Sequence, residues 1–188
     1  MIINNTYKEQ LQQMHDNPNV FNNGKKQYKC VEKFLGSYQI NSLLDFGCGK
    51  GGLIQVIKEL HPTITRVDGY DPGYLEFEEL PTVPYDCVVS TDALEHIEPE
   101  YLIPSLKTID KLFTKYCFLR IACYPAKKKL PDGRNAHLIV EKPQWWIDKI
   151  TTHINGTIVD TDIRPFHGTP KKGPEIFGEE VILLIVKN

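Results

Sequence analysis

The stretch from Leu43 to Ile57 constrains the fold more than any other part of the 188-residue chain. It reads Leu43-Leu44-Asp45-Phe46-Gly47-Cys48-Gly49-Lys50-Gly51-Gly52-Leu53-Ile54-Gln55-Val56-Ile57. The order is an apolar run typical of a buried strand, a glycine-rich turn and the opening of an apolar helix. Glycine lets the backbone turn sharply and come close to a ligand where a Cβ would collide. A helix that opens directly after such a turn aims its unpaired N–H groups at the same place. The stretch is therefore a ligand-binding strand–loop–helix of an α/β fold. A phosphate loop requires Lys-Ser or Lys-Thr after its last glycine, whereas Lys50 is followed by Gly51 and Gly52. Asp45, inside the end of the strand, works against a pyrophosphate and suits a ligand that carries its own positive charge.

Two downstream segments extend the pattern. Arg66-Val67-Asp68-Gly69-Tyr70-Asp71-Pro72 reads as a second strand ending in an acid, and a carboxylate about 20 residues beyond such a loop can accept from ribose hydroxyls. Tyr85-Asp86-Cys87-Val88-Val89-Ser90-Thr91-Asp92-Ala93-Leu94-Glu95-His96-Ile97 reads as a buried strand leading into a helix. Together the three segments resemble the motifs of the class I S-adenosylmethionine-dependent methyltransferases. The resemblance covers residues 40 to 125 with specific motifs and the remainder by topology. It implies a Rossmann-like, doubly wound sheet of the seven-stranded type, mostly parallel with an antiparallel C-terminal strand, in a single domain over residues 1 to 188. It also implies S-adenosyl-L-methionine as cofactor, bound through Asp45, Gly47, Cys48, Gly49, Asp71, Pro72 and Asp92. Only thirteen residues, Pro72 to Pro84, separate Asp71 from Tyr85. That is too short for a helix plus a strand, so the third-strand edge of the sheet is expected to be abbreviated, with Tyr74 to Leu80 as one short helix. No adenine-contacting residue can then be named.

The remaining elements follow from apolar spacing. Helices are expected over 6–14 and 23–36, joined by a polar loop from Met14 to Phe21, and in the family such leading helices often lie over the cofactor. Tyr7 and His15 could serve there, although surface and packing roles are the favoured reading for both. Further helices are expected over Leu53 to Leu60, stopped by Pro62, and over Pro104 to Thr114. Tyr116 to Cys123 reads as a central buried strand, in which Arg120 requires a carboxylate or several carbonyls as partners. Pro143 opens a helix to His153. Its adjacent Trp145 and Trp146 point to different faces, one to the core and one toward the site. Strands are expected over Thr157 to Ile163 and Glu180 to Val186, joined by a long loop from Arg164 to Gly178.

Charge and cysteine usage narrow the partners. The formal net charge of −2 and a pI near 6.3 supply no global attraction for nucleic acid or membrane. Basic clusters are confined to Lys127-Lys128-Lys129 and Lys171-Lys172, and no apolar run approaches a membrane span. The N-terminus lacks a charged-then-apolar signal pattern. The five cysteines (30, 48, 87, 117 and 123) show no paired spacing, which agrees with a reducing cytoplasm.

Methyl transfer from a sulfonium is an in-line displacement, and a hydroxyl acceptor must also lose its proton. Asp92, Glu95 and His96 stand at i, i+3 and i+4, which on a helix places them on one face, and His137 follows the next strand. They form a candidate set for Mg²⁺, Mn²⁺ or Zn²⁺. The set is similar to the Glu-x-x-Glu-His signature with a distant His of small-RNA 3′-terminal 2′-O-methyltransferases, and to Glu-x-x-Glu-His in ubiquinone-biosynthesis O-methyltransferases. Here Asp92 replaces the first Glu. Two alternatives stay open: His96 or His137 as a metal-free base assisted by Asp92, or a purely structural cluster. The expected activity is O-methylation of a hydroxylated small molecule, nucleotide or sugar. Second to it stand a metal-dependent RNA 3′-end 2′-O-methyltransferase and a non-catalytic cofactor-binding partner subunit.

Overall fold

The computed structural model describes residues 3–16, 24–168 and 175–188. Six strands form one sheet: β1 (Ser42–Phe46), β2 (Arg66–Tyr70), β3 (Tyr85–Thr91), β4 (Phe113–Ala122), β5 (Gly156–Gly168) and β6 (Ile176–Lys187). Their order is β2-β1-β3-β4-β6-β5. β1 to β4 are parallel, and β6 runs antiparallel to both β4 and β5. The order reverses between β1 and β3, so the connections leaving their carboxyl ends diverge and open a crevice there.

Successive side chains of a strand point to opposite faces, and the two cores follow that rule residue by residue. Leu44, Val88 and Leu119 face one core with α4 (Pro99–Leu112) and α5 (Pro143–His153). Leu43, Cys87, Val89 and Phe118 face the other with α2 (Gly24–Ser37) and α3 (Gly52–Leu60). Close approach of α2 to α3 depends on Gly24, since a Cβ there would lie 2.2 Å from the Gly52 carbonyl. A third, smaller cluster joins Ile3 and Tyr7, at the start of α1 (Asn5–His15), to Leu130 and Ala136.

The abbreviated edge is present. Between β2 and β3 there is one 3-10 turn, Leu75–Phe77, and no strand. Arg66 on edge strand β2 turns its guanidinium to the carbonyls of Val83 and Pro84, at 3.3 and 3.2 Å, which ties the short connection down.

Elsewhere the boundaries differ for identifiable reasons. Met14 and His15 belong to the last turn of α1 rather than to a loop; the expected loop residues 17–21 and helix residue 23 lie outside the described residues. α4 begins at Pro99, not Pro104, because Pro99 takes the N1 position and Pro104 is carried inside the helix. The strand after it starts three residues early, at Phe113. The helix expected after Asp92 is a single 3-10 turn, Leu94–His96. The final hairpin is longer than expected: Pro165, Phe166, His167 and Gly168 still pair with β6, since an edge strand tolerates a proline that donates nothing. Arg120 finds two carboxylates, Asp92 and Glu180, each at 2.5 Å.

No helix among the described residues is long and apolar enough to cross a membrane, and the five cysteines are unpaired. Trp146 is fully buried in the α4–α5 core. Trp145 packs half-buried against the same cluster and does not reach the crevice, contrary to expectation. Trp146→Ala is expected to cost about 3–5 kcal/mol in urea denaturation and Trp145→Ala markedly less; equal losses would contradict this packing.

Candidate active site

The glycine loop is stitched to the end of β2 by its own backbone. Gly47 and Cys48 donate N–H groups to the Tyr70 carbonyl at 2.7 and 3.2 Å, and Gly51 donates to the Cys48 carbonyl at 3.0 Å. Gly47, Gly49 and Gly51 have φ of 84°, 54° and 71°, a region that L side chains rarely adopt. At Gly47 a Cβ would also lie 2.3 Å from the Ala93 Cβ, so the loops after β1 and β3 touch only because that atom is missing. Asp71 caps the assembly. Its carboxylate accepts from the N–H groups of Gly49 at 2.8 Å and Gly73 at 2.9 Å.

These loops open onto a cavity of about 410 Å³, within the range of roughly 300–1,000 Å³ usual for small-molecule sites. Gly47, Cys48, Gly49, Asp71, Pro72 and Asp92 all line it. Asp45 lies just beneath, fully buried, with neither carboxylate oxygen partnered among the described residues. Burial, with Asp71 adding, pushes its carboxyl up to about 8. Asp45 therefore does not itself reach the cavity surface, whereas the glycine cradle, Asp71 and Pro72 do and leave room that fits the methionine and ribose portions of S-adenosylmethionine.

α1 closes the cavity from above. Ile3, Tyr7, Leu11, Met14 and His15 contribute to the lining, so Tyr7 and His15 do stand at the site. The Tyr7 hydroxyl donates to the His96 carbonyl at 2.6 Å, the Lys8 ammonium meets Glu78 at 2.5 Å, and Asn4 binds the buried Glu98. The His15 Nε2 stands 3.9 Å from Asp71, with its ring 5.0 Å from that of Tyr74.

The far end of the cavity carries the histidines. The His96 Nδ1–H donates to the Ala136 carbonyl at 2.7 Å, and the His137 Nδ1–H donates to the Tyr124 carbonyl at 2.5 Å. Carbonyls only accept, so each neutral ring carries its lone pair on Nε2. The rings meet edge to face with centroids 4.7 Å apart. Burial, followed by the adjacent His137, holds His96 down to about 4, and burial also lowers His137. Glu95 is fully buried behind them. One oxygen accepts from the Ala122 N–H at 3.1 Å and the other has no partner among the described residues. Burial, with Asp92 adding, raises its carboxyl above the usual range.

Ligand atoms of Glu95, His96 and His137 lie within 4.8 Å of one another. Asp92, expected with them, stands outside this group. Its φ of 53° turns it off any helical face, and its Oδ1 is engaged by Arg120 at 2.5 Å, although it still lines the cavity. Sequence reasoning missed Lys26 and Gln27 on α2, and the stacked Tyr124–Phe166 pair with centroids 3.7 Å apart, all of which line the cavity. Residues 42 positions apart in the chain leave no local signal of their pairing.

Residues 9–156 match the family described as "Methyltransferase domain". Among solved structures, the chain is similar to 1,6-didemethyltoxoflavin-N1-methyltransferase of Burkholderia thailandensis, solved with 1,6-didemethyltoxoflavin and S-adenosylhomocysteine. The TM-score is 0.65 at 15% identity, over 97% of this chain and 89% of that one. It is also similar to a putative methyltransferase solved in complex with the Haloferax volcanii Trm112 methyltransferase activator (TM-score 0.64, 11% identity, 94% and 96% coverage). A third likeness is the methyltransferase domain of bacterial CtHen1-CN (TM-score 0.58, 15% identity, 88% and 99% coverage). No curated protein sequence matches. The chain belongs to the methyltransferase-domain family, and it is a methyltransferase of the S-adenosylmethionine-dependent class.

The Asp45 carboxyl yields a stability test. Its folded-state pKa of about 8 lies above its ordinary value of 3.8. The folded protein therefore holds a proton that the unfolded chain has released, and stability falls as pH rises between the two values. Asp45→Asn removes this dependence. In the ligand-free protein it is expected to gain on the order of 5 kcal/mol over the wild type on going from pH 4 to pH 8, read from thermal denaturation at both. A gap between variant and wild type that is the same at both pH values would contradict the buried-acid account.

Proposed function

We propose that the protein transfers the methyl group of S-adenosylmethionine to a hydroxyl oxygen of a small molecule, nucleotide or sugar. The observation that supports this most is the Glu95–His96–His137 group, whose histidines share one cavity with the glycine loop. Asp45 and Asp71 would bind the amino group and the ribose hydroxyls, with Gly47, Cys48, Gly49 and Pro72 shaping the cradle and Asp92 beside it. In the reaction the acceptor oxygen forms a bond to the methyl carbon as the carbon–sulfur bond breaks. The hydroxyl proton leaves to a base, and S-adenosylhomocysteine remains.

Proton loss is where the histidines contribute. Both are neutral and present Nε2, the form required of a base or of a metal ligand. The donor set of two imidazoles and a carboxylate suits a divalent ion, and the Nδ1–H bonds to carbonyls are the orienting contacts that such ligands usually have. A divalent ion held there would lower the pKa of a bound hydroxyl. The Burkholderia neighbour, solved with a small-molecule acceptor, agrees with an acceptor of that size.

An RNA 3′-end acceptor is the second reading, favoured by the resemblance of the Asp92-x-x-Glu95-His96 and His137 set to the RNA enzymes' signature.

Calorimetric titration of S-adenosylhomocysteine and of Mn²⁺ after chelator treatment tests the assignment. Cofactor binding is expected to persist without metal, and Asp71→Ala to weaken it by about 1.5–3 kcal/mol, roughly 10- to 100-fold in Kd. Mn²⁺ is expected to bind the wild type and not His137→Ala, with cofactor affinity preserved in that variant. A well-folded protein that does not bind S-adenosylhomocysteine would sink the reading. Cofactor binding without Mn²⁺ binding would leave His96 and His137 as metal-free bases.

A further inference from the structure

The end of the β5–β6 hairpin projects past the sheet and still reaches the site. β4 stops pairing with β6 at Ala122, opposite Glu180, whereas β5 and β6 continue together from the Pro165–Glu179 pair to the Gly168–Ile176 pair. None of these projecting residues belongs to the two cores that flank the sheet. Successive side chains alternate along the hairpin. His167 and Phe177 stack on one of its faces with centroids 4.5 Å apart, while Phe166 turns to the other and lines the cavity.

Two glycines prepare the place of Phe166. Its ring lies on that of Tyr124 with centroids 3.7 Å and planes 5° apart. Gly178, paired with Phe166, lets β6 pass directly over Tyr124, since a Cβ there would lie 2.5 Å from the Tyr124 Cβ. A Cβ on Gly168 would lie 2.7 Å from Cε1 of the Phe166 ring. The flat pair fits because both atoms are missing.

That pair begins a row of rings that ends at the histidines. Tyr124 stands 5.7 Å from the His137 ring, which meets His96 at 4.7 Å. The Tyr124 carbonyl also accepts from the His137 Nδ1–H at 2.5 Å, so the row and the imidazole are fixed relative to each other. All four rings line one cavity, and Ala126 and Ala136 add apolar surface to it. Stacking occupies one face of Phe166, which remains only partly buried. An aromatic ligand gains offset or edge-to-face stacking from such a row, and a saturated ligand does not. Charge does not set this choice: Lys127, Lys128 and Asp92 all line the cavity, so both signs border the acceptor.

Resting on the hydroxyl-methylation reading, we infer that the acceptor hydroxyl is carried by a flat aromatic ring, and that Phe166 is the residue that selects for it. The ring lies along the Phe166–Tyr124 end of the row, and its hydroxyl is presented to His96 and His137. Phe166 touches none of the reacting atoms and acts on specificity alone. Within the class of hydroxylated small molecules this favours phenols over saturated polyols.

The test is calorimetry in metal-free buffer on protein saturated with S-adenosylhomocysteine, titrated separately with catechol and cis-cyclohexane-1,2-diol. Both probes are uncharged and carry two adjacent hydroxyls on a six-membered ring, and only catechol is flat. Catechol is expected to bind about fivefold or more tightly. The advantage is expected to shrink to within about twofold in Phe166→Leu, which keeps an apolar side chain without a ring face, and to persist in Phe166→Tyr. A preference that came only from the greater acidity of a phenol would survive Phe166→Leu. Affinity for S-adenosylhomocysteine is expected to stay unchanged in both variants and reports that the fold is intact. Equal affinities for the two diols, tighter binding of the saturated one, or a catechol preference that survives Phe166→Leu would overturn the inference while leaving hydroxyl methylation standing. Binding of a short oligoribonucleotide but of neither diol would overturn it in favour of an RNA end. Absence of S-adenosylhomocysteine binding is a separate signal and would remove both readings.

Discussion

The carboxylate of Asp71 holds the site together. Accepting from Gly49 at 2.8 Å and Gly73 at 2.9 Å, it joins the glycine loop to the turn after β2. Gly47 and Cys48 add two bonds to the carbonyl of Tyr70, one residue earlier. Three left-handed glycines are unfavourable in isolation for chain entropy, so the loop keeps its shape only because a neighbouring strand end dictates it. The same turn seats α1. A Cβ on Gly73 would lie 2.5 Å from the Leu11 Cβ, and His15 stands over Asp71 itself. Floor and roof of one end of the cavity thus refer to a single side chain.

A different electrostatic solution operates at the other end. Arg120 is buried between Asp92 and Glu180, at 2.5 Å from each, and so couples β3, β4 and β6 through side chains as well as through the ladder. A buried ion pair stabilises little against an apolar equivalent, yet losing one partner strands a charge. The network therefore acts on position. It engages Asp92 at φ 53°, a conformation that Asp tolerates better than most residues, and Asp92 stays outside the Glu95–His96–His137 group. Glu95 and Asp45, in contrast, have no cation in hydrogen-bond contact among the described residues, and burial makes their neutral forms favourable.

Much of this architecture was legible in the chain because the signals were local. The strand–glycine–helix unit, the acid ending β2, the shortened edge and the helix opened by Pro143 each rest on neighbouring residues with one dominant physical role. The failures have a common cause as well. Pro104 and Pro99 compete for one N1 position, and only packing chooses between them. Pro165 and Gly168 carry turn chemistry, yet pairing with β6 overrides it at the sheet edge. The i, i+3, i+4 spacing of Asp92, Glu95 and His96 presupposed a helix, while the residues form one 3-10 turn after a left-handed Asp. Glu95 and His96 still come together with His137, because the loop after β4 folds back and the Ala136 carbonyl takes the His96 proton donor. Three of the four expected residues thus come together without the helix that their spacing presupposed, and Asp92 does not.

The segment from Tyr124 to His137 explains how such a small chain organises so much of the cavity. It follows a central parallel strand, so it emerges at the crevice, yet it has no helix or strand of its own to stiffen it. Asn135 supplies the stiffness by bonding both backbone groups of Ala126, which turns a polar loop into a closed ring of hydrogen bonds. From that ring Tyr124 reaches the tip of the β5–β6 hairpin through Phe166, His137 reaches the His96 ring, and Ala136 and Leu130 meet Tyr7 and Ile3 of the roof. Loosening Asn135 would thus disturb the histidines, the aromatic wall and the seat of α1 together, although its side chain sits on none of the reacting positions. The site depends on this non-local ring as much as on its recognisable motifs, and the ring is written in an asparagine that no motif marks.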